Sequence, residues 1–204
     1  MSQTFRDIFA VNTKADQDRA KFLSRLFGIF SERIVSIWAK NAQSPYEDLG
    51  RPTIQTPDGS KGSTLDFTLR HRVSQKIYVT EMKCEVEYKN FKFFVLEDVS
   101  QLAHHTKPAF DIFLRAASQS SDMSVKANGK IYKSDGAILI WGAASVEGKK
   151  RVREAKGFQD VLTIEDICAD LANWNCAQYA ALVTQRQEWC NRLFAGMLNA
   201  HATQ

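Results

Sequence analysis

Residues 63–88 contain two segments with alternating apolar and polar side chains, and this pattern constrains the fold more than any other feature of the chain. In the first segment Leu65, Phe67 and Leu69 alternate with polar residues, which is the period of a half-buried strand. The second segment, IYVTEMKCEV, is rich in β-branched and aromatic residues and predicts another strand. A turn at Val73 and Ser74 would join the two strands in a hairpin.

The hairpin predicts which charged residues meet. Residues whose numbers add up to about 147 lie opposite one another, so Asp66 lies across from Glu81. Lys83 and Glu85 share the face of Glu81, because successive side chains of a strand alternate. Two carboxylates this close repel unless a cation lies between them, and Mg²⁺ and Mn²⁺ are the hard cations that prefer oxygen ligands. We therefore predict a metal site at Asp66 and Glu81, with Lys83 beside it to orient or deprotonate a water.

An Asp on one strand followed by Glu-x-Lys on the next resembles the signature of the PD-(D/E)XK, or restriction-endonuclease-like, nuclease superfamily. The matching residues are Asp66 and Glu81-Met82-Lys83. The resemblance implies an αβββαβ core, with a mixed central β-sheet flanked by helices, and hydrolysis of phosphodiester bonds that depends on Mg²⁺ or Mn²⁺. It implies DNA as the class of substrate. The chain departs from the family pattern in that Leu65, not Pro, precedes Asp66; the Pro57-Asp58 pair belongs to a Gly-rich turn.

The Glu-x-Lys pattern occurs at four positions, which begin at Glu81, Glu87, Glu147 and Glu154. The strongest rival to the copy at Glu81 combines Glu147 and Lys149 with Asp135, which precedes the apolar run 137–141. We expect Glu147 to lie in a loop, because glycine and polar residues surround it. The copy at Glu81 lies within a predicted strand and follows an acidic strand, so it is the copy that we assign to the site.

The resemblance also implies a fourth site residue. Many members of the superfamily carry a Glu on the helix before the Asp strand, where it contributes to the metal site directly or through water. Glu32 has this place in the amphipathic run 13–41, which predicts one or two helices. An acidic residue of the following loop, Glu47 or Asp48, could take the place of Glu32, although a loop setting favours a surface role.

Four further residues are candidates for nucleic-acid binding. Gln101 and His104 lie at the start of a helix predicted over 101–117, at a place where related nucleases hold a Gln or His that contacts phosphate. Lys89 and Lys92 alternate with phenylalanines, and such a segment can neutralise phosphates and stack on bases. A place in the core is the alternative for these aromatic residues.

Composition limits the class of protein. A chain of 204 residues with 44% hydrophobic residues is typical of a globular protein that buries a core, and a net charge of +4 is compatible with a polyanionic partner. The four cysteines lack the spacing of a zinc site. The chain has no apolar run of about 20 residues and no signal-peptide core, so we expect a cytoplasmic protein that does not contact membranes.

We expect residues 1–172 to form the nuclease-like domain and residues 173–204 to add a C-terminal helix that covers the core or forms the seam of a homodimer. The apolar run 137–141 predicts a central strand, and Thr163 with Asp166 predicts a helix N-cap. Three functions remain open: a metal-dependent nuclease, a nucleic-acid-binding module or catalytically weak subunit on the same fold, and an interaction protein. The complete set of Asp66, Glu81 and Lys83 favours the nuclease.

Overall fold

A computed structural model of the chain describes residues 4–9, 17–55, 63–84, 91–118 and 123–199. The helices of this part of the chain are α1 (Phe5–Ile8), α2 (Gln17–Lys40), α3 (Pro108–Ser118), α4 (Val146–Lys156), α5 (Ile164–Asn173), α6 (Ala177–Leu198) and a 3-10 helix (Val99–Leu102). Its strands are β1 (Tyr46–Asp48), β2 (Thr53–Gln55), β3 (Ser63–Thr64), β4 (Phe67–His71), β5 (Ile77–Lys83), β6 (Val95–Leu96), β7 (Ser124–Ala127), β8 (Lys130–Lys133), β9 (Ala137–Trp141), β10 (Ala143–Ala144) and β11 (Asp160–Thr163). Within the described ranges, none of the helices combines the length and the apolar character needed to cross a membrane.

Five strands form a mixed central sheet in the order β1-β4-β5-β9-β11. β4 is antiparallel to both β1 and β5, whereas β5, β9 and β11 run parallel. Every residue of β9 is buried, which confirms the prediction of a central strand over 137–141. Two smaller sheets accompany it, one of four strands in the order β3-β2-β7-β8 and one formed by β6 and β10.

Helices pack on both faces of the central sheet. β9 contacts both layers of helices, because alternate residues of a strand point to opposite sides. Ile138 and Ile140 belong to an apolar cluster with residues of α2 and α5, among them Trp38. The opposite face of β9 includes Leu139, which belongs to a second cluster with Phe110 and other residues of α3. The chain is therefore a mixed α/β protein, as its sequence predicts.

Two elements differ from the predictions. The helix expected over 101–117 is divided into the 3-10 helix and α3, because Pro108 fits the first position of a helix but not its interior. Glu147 lies in the first turn of α4, so the prediction of a loop was wrong. Ser145 caps this helix, since its hydroxyl oxygen accepts a hydrogen bond from the Gly148 N–H at 2.9 Å.

The C-terminal segment forms a helix, as predicted. Leu182 of α6 packs into the cluster that contains α2 and α5. Farther along α6 the apolar side chains are largely exposed; Leu193, for example, is 60% exposed. The predicted N-cap of α5 is confirmed as well, because the Thr163 hydroxyl accepts from the Asp166 N–H at 3.1 Å.

Candidate active site

The hairpin of β4 and β5 has the predicted register. Phe67 lies opposite Thr80, and Arg70 lies opposite Ile77. One residue before β4, the Asp66 N–H donates to the Thr80 carbonyl oxygen at 3.2 Å. Oδ2 of Asp66 accepts from the Met82 N–H at 2.8 Å. These two bonds hold the Asp66 carboxylate against β5, next to Glu81.

Glu81 and Lys83 form an ion pair on the face of β5 that packs against α3. The Lys83 ammonium donates to Oε1 of Glu81 and lies 5.8 Å from the centre of the Phe110 ring. Glu81 is only 7% exposed. Its second oxygen, Oε2, is buried and accepts no hydrogen bond from any residue in the described parts of the chain. A buried carboxylate oxygen without a partner is costly, so Oε2 is the atom of this site that gains most from a nearby cation or hydrogen-bond donor.

The surroundings of Glu81 favour its neutral form. Burial raises the pKa of the Glu81 carboxyl, and the negative charge of Asp66 raises this pKa further. The ion pair with Lys83 and the charge of Arg51 oppose the rise without cancelling it. Additional positive charge next to Glu81 would therefore stabilise the ionised form.

Arg51 connects a third carboxylate, that of Glu32, to Asp66. Its Nη2 lies 3.3 Å from Oδ1 of Asp66 and 3.9 Å from Oε1 of Glu32. Nε of Arg51 donates to the Leu65 carbonyl oxygen at 3.2 Å, which fixes the guanidinium beside the Asp66 carboxylate. The sequence does not predict Arg51 as a site residue. It lies in the segment between β1 and β2, where no sequence period indicates the direction of a side chain.

Glu47, the alternative to Glu32, belongs to another group of charges. On β1 it forms ion pairs with Arg70 and with Arg72, the latter at 3.3 Å. Asp48, the next residue, accepts a hydrogen bond from the Gly50 N–H at 2.8 Å. Glu32 is thus the acidic residue that shares Arg51 with Asp66, and its part in catalysis stays a prediction.

The carboxylates of the site suit a hard divalent cation, but the residues that the structure describes do not form a complete set of ligands. Asp66 and Glu81 provide carboxylate oxygens, and Oε2 of Glu81 has no other partner among the described residues. The Glu32 side chain lies beside Arg51, and across the described ranges no three His, Cys, Asp or Glu residues come together as a metal site. The donors fit Mg²⁺ or Mn²⁺, provided that Glu32 or water completes the coordination.

The structure gives the local contacts of two of the residues predicted to bind nucleic acid, Gln101 and His104. The Gln101 amide is buried and holds its own segment, since Oε1 accepts from the Glu97 and Asp98 N–H groups at 2.6 and 2.8 Å. The His104 ring contacts Phe93 and His105, at centroid distances of 5.6 and 4.0 Å. These are packing contacts, so roles for Gln101 and His104 in phosphate binding stay predictions.

His105 shares an aromatic neighbour, Phe110, with Lys83. Its ring is 4.8 Å from the ring of Phe110, over which the Lys83 ammonium lies. Lys92 is exposed, as a phosphate contact requires, and Lys89 falls outside the described residues, as do Glu85, Glu87 and Pro57-Asp58.

The residues of the rival copy of the motif, Asp135, Glu147 and Lys149, do not form one site. Asp135 precedes β9 and accepts a hydrogen bond from the Ile77 N–H at 2.8 Å, at the beginning of β5. Glu147 follows β9 on the first turn of α4, and Lys149 pairs with Asp166. The five residues of β9 alone separate Asp135 from Glu147 by about 16 Å, at roughly 3.3 Å for each residue of a strand. Asp135 and Glu147 therefore cannot share one metal ion in this structure.

Comparison of the chain with protein-family models, with curated proteins and with solved structures gives no match. The functional interpretation consequently depends on the residues and the geometry described above.

Proposed function

We propose that this chain is a metal-dependent nuclease that hydrolyses phosphodiester bonds, with DNA as its substrate and a restriction-endonuclease-like αβββαβ core. The order of α2, β1, β4, β5, α3 and β9 along the chain supports this core. The observation that carries the proposal is the buried Oε2 of Glu81, which lacks a partner within the described ranges although Asp66 and Lys83 lie beside it.

Each residue of the site has a separate task in this proposal. Asp66 and Glu81 bind the cation, and Asp66 is held in place by the Met82 N–H. A bound Mg²⁺ or Mn²⁺ supplies Lewis acidity and lowers the pKa of a coordinated water. Lys83, half-buried against Phe110, donates hydrogen bonds that orient the attacking water and balance charge on the scissile phosphate. Glu32 completes the acidic set at the exposed side of the site.

A second candidate is a nucleic-acid-binding module on the same fold with little catalysis. The observation that favours the lack of catalysis is the place of Arg51, whose guanidinium lies between Glu32 and Asp66 and already neutralises part of their charge. In that case Arg51 would make the carboxylate cluster a structural ion-pair network, and no cation would be needed.

Cleavage assays distinguish the two candidates. Purified protein is incubated with plasmid, single-stranded DNA and RNA in the presence of Mg²⁺, Mn²⁺ or EDTA. We expect DNA cleavage with either metal, none with EDTA, and none for the Asp66→Asn and Glu81→Gln variants. Binding of DNA without cleavage of any substrate under any condition would favour the binding module instead.

A further inference from the structure

A cavity of about 410 Å³ lies between α2 and the first half of α6. None of its lining residues belongs to the candidate active site. Its lining residues are Arg33, Ile37, Lys40, Gln178, Ala181, Leu182, Gln185 and Arg186. All of its ionisable lining residues are cations. The volume is in the range of cavities that bind small molecules.

The two cations on α2 are available to a ligand. Arg33 and Lys40 are seven residues apart, which is close to two helical turns, so they lie on the same side of α2. Both are exposed, and neither forms an ion pair within the ranges that the structure describes. Burial raises the pKa of the Asp48 carboxyl, and the charge of the nearby Lys40 opposes this rise. Asp48 therefore balances part of the positive charge of Lys40.

The Arg186 guanidinium on α6 is positioned by two neighbours. It stacks over the Trp189 ring at 4.0 Å from the ring centre, and Nη1 donates to Oε1 of Gln185 at 3.2 Å. A guanidinium has five N–H groups, so most of its donors remain for a ligand. A stacked guanidinium loses less freedom when it binds a phosphate than an unrestrained side chain does.

The remaining lining residues offer a different chemistry. Ile37 and Leu182, which are buried, and the exposed Ala181 supply a small apolar part of a lining that is mostly polar. Gln178 and Gln185 are exposed amides, each of which can donate and accept hydrogen bonds. Cations and amides beside a small apolar area together match a polar molecule with an anionic group and one limited apolar surface, such as the edge of a ring.

We propose that this cavity binds a phosphate-bearing small molecule of mononucleotide size, with its phosphate between Arg33 and Arg186 and its ring against Ile37 and Leu182. Guanidinium groups match phosphate oxygens in geometry and form charge-assisted hydrogen bonds to them. The inference is independent of the proposed nuclease activity, because it uses none of the residues of the hairpin.

Isothermal titration calorimetry with three probes tests the proposal: inorganic phosphate, adenosine 5′-monophosphate and adenosine. Each titration is made at the same ionic strength, adjusted with KCl. We expect saturable binding that is tightest for the nucleotide, weaker for phosphate and weakest for adenosine. No saturable binding of phosphate or nucleotide by the wild type would overturn the proposal, and equal affinity for these two probes would exclude the nucleotide-sized ligand.

Variants locate the binding. Arg33→Gln and Arg186→Gln should each weaken nucleotide binding by about tenfold or more, through the loss of charge-assisted hydrogen bonds. Arg192→Gln is the matched control, because Arg192 is an exposed arginine on α6 outside the cavity. Loss of binding in Lys83→Ala, with Arg33→Gln and Arg186→Gln unchanged, would place the nucleotide in the hairpin site and overturn the inference.

Discussion

At the scale of single residues, the buried Glu81 carboxyl dominates the site. Burial and the charge of Asp66 raise its pKa in the folded protein, so protonation of Glu81 favours folding. At a pH above the pKa of a Glu in the unfolded chain, about 4.3, the folded state begins to lose stability. The loss continues until the pH has passed the raised pKa, beyond which it is complete.

The first prediction follows from this linkage. In EDTA at neutral pH, Glu81→Gln should be more stable than the wild type, and its advantage should disappear as the pH falls to about 4.3. Urea denaturation at the two pH values measures the difference. Glu32→Gln is the control at an exposed position of the same site, and it should change stability by less than about 0.5 kcal/mol. A wild type more stable than Glu81→Gln at neutral pH would mean that the ion pair with Lys83 outweighs burial.

The sequence predicts the neighbours of Glu81 well where strand geometry determines them. Asp66 meets Glu81 because the strand period and the position of the turn set the register, and Lys83 shares their face because side chains alternate. The sequence does not predict Arg51. Its contacts with Glu32 and Asp66 depend on the path of a connecting segment, for which no local pattern provides a signal.

At the scale of elements, the start of α4 shows how packing decides what a sequence pattern leaves ambiguous. Gly148 and the polar residues near it are typical of a loop. In the structure, however, Gly148 allows the helix to approach β6, because an added Cβ would lie 2.1 Å from the Leu96 carbonyl oxygen and 2.8 Å from Cα of Glu97. The glycine marks a close approach of backbones rather than a break in the helix.

The second prediction tests this approach. Gly148→Ala should destabilise the protein by about 1–3 kcal/mol or more, because the methyl group would contact backbone atoms that cannot rotate away. Gly28→Ala is the matched control, since Gly28 lies within α2 and an added Cβ there meets nothing within 4 Å. It should stabilise the protein by up to about 1 kcal/mol through helix propensity. Both values come from urea denaturation, and similar effects of the two substitutions would contradict the packing of α4 on β6.

At the scale of the whole molecule, α6 extends an apolar surface beyond the core. Large apolar side chains are exposed on α2 and on the second half of α6: Phe22, Ile29, Trp189, Leu193, Phe194 and Met197. The Phe22 and Phe194 rings are 6.3 Å apart, so the two helices contribute to one patch. Exposed patches of this kind often mark an interface, which is consistent with the predicted dimer seam.

The third prediction concerns this seam. If a second copy covers the patch, sedimentation equilibrium should detect a reversible dimer, and Leu193→Glu should weaken it by about tenfold or more, since it would bury a charge. Gln187→Glu, at an exposed position on the same helix, is the control for added charge. A wild type that stays monomeric at every concentration tested would exclude the homodimer.

The fourth prediction concerns the stability of the whole fold in the presence of metal. Mg²⁺ or Mn²⁺ should raise the melting temperature, because an ion that binds only the folded carboxylates stabilises the folded state by mass action. An ion present at about 100 times its Kd would contribute about 2.7 kcal/mol. Asp66→Asn and Glu81→Gln should each lose most of this stabilisation, as measured by differential scanning fluorimetry. An equal rise in the wild type and both variants would place the ion elsewhere.

The central claim is that Lys83, on the hairpin with Asp66 and Glu81, acts in the chemical step. Single-turnover cleavage of a labelled duplex at fixed low salt tests it most directly, with DNA binding measured separately in Ca²⁺. Lys83→Ala should cleave about 10²-fold more slowly or worse at unchanged DNA affinity, whereas Lys149→Ala, from the rival motif, should cleave at nearly the wild-type rate. Loss of cleavage in Lys149→Ala with normal cleavage by Lys83→Ala would contradict the assignment of the site.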